Sequence, residues 1–139
     1  MKQLLTLAVF LVSCFVFSQN EKIDHLTVQL AYQNQDSTKV DMSLMLISEL
    51  YAAEDYKKAL LYINETSKLS EDLNYTKGLA ESTYFRALIF SKRNDYYNAI
   101  DNYNTSKKYY LKIRDTLGLA KVSNDIGLIE IRRGNYKVG

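Results

Sequence analysis

The chain has 139 residues, with 18 Lys and Arg against 16 Asp and Glu, a near balance that argues against a surface built for nucleic acid or an anionic membrane. One cysteine, Cys14, and one histidine, His25, exclude an intrachain disulfide framework and a thiolate zinc cluster and leave little for acid–base chemistry. Proline is absent and glycine numbers five, so the sequence is poor in helix breakers and an all-α fold is expected.

Residues 1–18 read as a secretion signal. Lys2 gives the positive start, and Leu4 to Phe17 form an apolar run broken only by Thr6, Ser13 and Cys14. Val16 and Ser18 stand third and first before an expected cut between Ser18 and Gln19. The run of 14 residues is shorter than the roughly 18 expected of a spanning helix, and it lacks the polar stripe of a core helix. A second reading uses the same stretch: Leu11-Val12-Ser13-Cys14 resembles a lipobox, with Cys14 as the lipidated residue. Against it, Phe15-Val16-Phe17 would leave a greasy segment just past the anchor. Removing the signal takes away one Lys and leaves 17 basic against 16 acidic residues.

A lead segment over 19–36 follows. Ile23, Leu26 and Leu30 share one face of a helix from about Glu21 to Gln33, and Asp36 or Ser37 can cap the next helix. That helix is expected from Thr38 to Ala53, with Leu46, Ile47 and Leu50 inward. Turns at Glu54-Asp55, Asn74-Tyr75-Thr76 and Asn94-Asp95 then separate helices over Tyr56 to Leu73, Lys77 to Lys92 and Tyr96 to Ile113. A further helix covers Leu117 to Arg133, and Tyr136 opens another. Turns this short make neighbouring helices antiparallel. Ala59, Ala87, Ala99 and Gly127 are the small residues expected at close helix approaches, and Tyr56, Phe90, Tyr96, Tyr103 and Tyr136 the rings expected to fill gaps between units.

These helices repeat. Glu54-Asp55-Tyr56-Lys57-Lys58-Ala59-Leu60 returns 40 residues later as Asn94-Asp95-Tyr96-Tyr97-Asn98-Ala99-Ile100 and begins again at Gly134-Asn135-Tyr136. Lys77-Gly78-Leu79-Ala80 returns at the same spacing as Leu117-Gly118-Leu119-Ala120. Fixed self-similarity means stacked units, none able to bury its apolar face alone. The array occupies 37–139, in units of about 40–76, 80–116 and 120–139, the last one truncated, so the chain reads as a fragment of a longer protein.

The pattern resembles the tetratricopeptide repeat, which places a small residue in its first helix, Gly or a turn-former seven on, Tyr two later and Ala three after that. Ala87, Asn94, Tyr96 and Ala99 fit, as do Gly127, Gly134 and Tyr136, while Tyr56 and Ala59 fit with Ile47 and Glu54 as departures. The unit of 40 residues exceeds the family's usual 34 or so, which implies longer helices. The resemblance implies an all-α, right-handed α-solenoid of antiparallel helix pairs. It implies a protein or peptide partner, with no enzyme activity in these residues and no cofactor or metal.

In that family the first helix of each pair lines a concave groove. The corresponding positions are Asp41, Leu44, Ser48 and Tyr51, then Glu81, Tyr84, Leu88 and Lys92, then Lys121, Asn124, Leu128 and Arg132. The family's carboxylate clamp is not matched, because Leu44 and Ser48 hold its Lys and Asn places and Asp125 stands where a second base belongs. A secretion signal, a lead helix and Asp36-Ser37-Thr38-Lys39-Val40 ahead of 40-residue repeats are also similar to the sensor regions of Bacteroidetes-type signalling proteins. That similarity implies an exported, periplasm-facing input to a histidine kinase or DNA-binding output, joined to the membrane by a helix past Gly139. A free-standing scaffold, periplasmic or lipid-anchored at Cys14, is the alternative. No nucleophile–base pair and no phosphate loop can be assembled, since His25 stands alone beside Asp24. Lys107-Lys108-Tyr109-Tyr110 reads as a solvated helix face rather than a nucleic-acid strip.

Overall fold

The structure, a computed structural model, describes residues 20–134; the signal segment with Cys14, and residues 135–139 with Tyr136, lie outside them. Six helices and no strand occur among the described residues: α1 (20–32), α2 (Ser37–Ala52), α3 (Tyr56–Asp72), α4 (Thr76–Lys92), α5 (Tyr96–Lys112) and α6 (Thr116–Arg132). The expected boundaries hold to within a residue. None of these helices is long and apolar enough to cross a membrane.

One turn is used four times. Glu54, Asn74, Asn94 and Arg114 take left-handed φ values of 59°, 53°, 60° and 57°, and Gly134 follows at 69°. In each of the first four, the amide after the left-handed residue donates to a carbonyl five residues back, as Asp55 does to Leu50 and Tyr75 to Ser70. The left-handed residue itself donates three back, as Glu54 does to Tyr51. This pair of bonds ends a helix by satisfying its last carbonyls. The residue that completes it then caps the following helix: Asp55, Asp95 and Asp115 accept from the amides of Lys58, Asn98 and Gly118 at 3.1, 3.3 and 2.9 Å. Asp36, rather than Ser37, caps α2 through the amide of Lys39. At the fourth junction Tyr75 provides no side-chain cap.

From α2 onwards successive helices pack side by side, and α4 also packs on α2, which stacks one helix pair on the next into an α-solenoid. Two cores result. Leu26 and Leu30 of α1 join Val40, Leu46, Ile47 and Leu50 of α2, Ala59 and Ile63 of α3, and Ile89 of α4. Ala80 and Ala87 of α4 join Ala99, Tyr103 and Tyr110 of α5 and Val122 and Ile129 of α6 in the second. α4 thus serves both cores, which couples the two pairs.

The small residues divide. Ala59, Ala87 and Ala99 are fully buried at helix contacts, as expected. Gly127 is exposed, with open space where a Cβ would stand, because no described helix lies over that face of α6. The glycines that set helix approach are instead Gly78 and Gly118: a Cβ on Gly78 would overlap Ser70 and Val40, and one on Gly118 the ring of Tyr110. Among the rings, Tyr103 and Tyr110 are fully buried, while Tyr56, Phe90 and Tyr96 sit half-buried at the edges of the cores.

Candidate functional site

The first helices of the pairs, α2, α4 and α6, carry the twelve residues expected to line a groove, and the structure sorts them into three groups. Leu44 belongs to the first core at 9% exposure, so its side chain packs beneath the surface instead of facing a partner. Ser48 and Asn124 are exposed. The others form two clusters, one at each end of the face.

Towards the N-terminal ends of these helices the polar groups are spent on one another. Asp41 accepts from the Tyr75 hydroxyl at 3.0 Å and from Lys77 Nζ at 3.2 Å. The Lys121 ammonium lies 3.4 Å from Glu81, its counterpart one repeat earlier, and 4.6 Å from the ring centre of Tyr84. Tyr84 donates to Asp125 Oδ2 at 2.7 Å, which ties α4 to α6. Burial, and then this bond to a carboxylate, push the Tyr84 phenol far above its ordinary value near 10.0. Tyr103 is raised by burial and then by the charge of Asp125. Burial dominates for Tyr110 too, followed by Glu81, which acts as a nearby charge because the Tyr110 hydroxyl makes no hydrogen bond of normal length. All three rings therefore stay neutral at physiological pH.

At the other end, Tyr51, Leu88, Lys92, Leu128 and Arg132 surround a cavity of about 180 Å³, together with Ser91, Tyr103 and Asp125. The ring of Tyr51 meets those of Tyr56 and Phe85 at 5.8 and 6.1 Å between centres, which fixes one wall. Lys92 and Arg132 stand at the exposed rim, Leu128 is 42% exposed, and Asp125 and Tyr103 bring polar groups to the interior. The cavity thus combines a small apolar floor with two cations and one carboxylate. Five of the twelve expected residues meet here. Ser91, Tyr103 and Asp125 were not expected there; Tyr103 lies on α5, a second helix of a pair, and its ring centre is 5.8 Å from that of Tyr84 on α4.

His25 is exposed on α1. Among the described residues no group of three His, Cys, Asp or Glu side chains is placed to hold a metal ion. No protein-family model matches the chain, and no curated protein or solved structure matches it. What the fold defines is therefore a class: an all-α helical repeat array with one face formed by alternate helices.

Proposed function

We propose that this chain is a protein- or peptide-binding module of the tetratricopeptide-repeat type, exported and serving as the periplasm-facing input of a larger signalling protein. The observation that carries the binding reading is the cavity of about 180 Å³ bounded by Tyr51, Leu88, Lys92, Leu128 and Arg132 on three alternate helices. Tyr51 and Arg132 are of the residue types enriched at protein interfaces. The repeat phrases of the sequence support the family, and the charge and apolar pattern of residues 1–18 supports export.

A peptide-display library panned against the full chain tests the binding reading. Enriched peptides are expected to lose most of their affinity for a Leu88→Ala, Leu128→Ala double variant that keeps its helicity. Equal capture by parent and variant would move the partner off this face. For export, the intact mass of protein recovered from the periplasm is expected to begin at Gln19; retention of Met1 in the cytoplasm would remove that part of the reading.

A further inference from the structure

A second site lies on the opposite side of the first unit, where α1 leans over α2 and α3. Two adjoining cavities, of about 410 Å³ and about 280 Å³, share Lys39, Ser43 and Glu65 as walls. The larger is completed by Thr66, Lys68 and Asp72, and Leu30 and Leu69 add apolar wall to the pair. Ser43 and Thr66 are buried, at 7% and 2% exposure, and Thr66 Oγ1 has no hydrogen-bond partner. A buried hydroxyl without a partner is unfavourable, so a ligand's polar atom that reached Thr66 would be favoured there.

The internal repeat gives the comparison. One unit later the same place in the fold is occupied by Leu79 for Lys39, Thr105 for Glu65 and Lys112 for Asp72. There Ser106, the counterpart of Thr66, donates to the carbonyl of Ala80 at 2.8 Å and leaves nothing unmet. Lys68 keeps a lysine counterpart in Lys108, whereas Lys39, Glu65, Asp72 and the unmet hydroxyl of Thr66 have no equivalent at the matching positions one unit later. Lys39 is held at the α1–α2 junction by donating to the Gln33 carbonyl at 3.3 Å. Glu65, Lys68 and Asp72 make no ion pair among the described residues.

We propose that this cleft binds a small zwitterion, of the chemistry of a free α-amino acid or a dipeptide. A simple anion would satisfy Lys39 and Lys68 while facing Glu65 and Asp72, and a simple cation would meet the reverse. Only a ligand carrying both charges uses both pairs, with Ser43 and Thr66 left for its remaining polar atoms. The cleft shares no lining residue with the cavity of the groove.

Isothermal titration of the full chain with the common free amino acids and a panel of dipeptides tests this. Acetate and butylammonium stand in as singly charged controls. Saturable binding of at least one zwitterion is expected, with none for either control. Lys39→Met and Glu65→Gln are each expected to weaken it about tenfold or more, the effect of losing one charge-assisted hydrogen bond. Lys108→Met, at the position of Lys68 in the other unit, is expected to bind as the parent does. Should Lys39→Met lose helicity, Glu65→Gln carries the test, since that side chain is exposed. No saturable binding by any zwitterion tried, or binding that Glu65→Gln leaves unchanged, overturns the proposal.

Discussion

At the scale of single residues, the most constrained positions are those with no room for an added atom. Gly118 lies against the face of Tyr110, and both belong to the contact between α5 and α6. Gly118→Ala is expected to destabilise the fold by about 1–3 kcal/mol, the usual cost of overpacking, and thermal melting followed by circular dichroism reads it directly. Tyr103→Ala removes a fully buried ring and is expected to cost about 3–5 kcal/mol, whereas Tyr96→Ala, at a half-buried position, is expected to cost clearly less. A denaturant titration of the two variants side by side checks the order. The sequence showed that glycine recurs at 78 and 118 but gave no reason for it, because the reason is a contact with residues eight positions earlier on the preceding helix.

At the scale of elements, the turns decide the array. Arg114 holds a left-handed conformation that L-residues adopt at a cost of about 1–2 kcal/mol, and Gly134 takes the same conformation without it. Arg114→Gly is therefore expected to raise stability by about 0.5–1 kcal/mol, after allowing for the extra freedom glycine gains in the unfolded chain. An unchanged or lowered melting temperature would mean that the Arg114 side chain contributes more than its backbone costs. Helix positions were legible to within a residue, since turn-formers and Asp caps punctuate each apolar period. The surroundings of five of the twelve groove positions were not. Asp41, Glu81, Tyr84 and Lys121 bond to neighbours 34 to 41 residues away, and no local pattern reveals that a charged side chain is already engaged. Leu44 fails for a related reason: one face of α2 must serve both a core and a groove, and helical periodicity alone does not say where the boundary falls.

At the scale of the whole molecule, three buried or half-buried tyrosines couple stability to alkaline pH. The folded chain holds the phenols of Tyr84, Tyr103 and Tyr110 above their ordinary value near 10.0. The stabilisation is complete below that value and is lost as pH rises, because the unfolded chain then releases protons that the folded one keeps. The melting temperature is expected to fall between about pH 9 and pH 12, and absorbance titration should show these rings ionising only as the fold opens. A Tyr103→Phe chain is expected to lose part of that sensitivity. Another consequence follows from the turns at Glu54, Asn74, Asn94 and Arg114, which recur every 20 residues although the faces recur every 40. A gene that gained or lost twenty codons would still splice one valid turn to another, yet it would deliver an outer helix to the groove side. Gaining or losing forty leaves every face where it was. Length variants of this protein that keep their function are therefore expected to differ in steps of forty residues, a rule enforced by which side of each helix is apolar rather than by the turns.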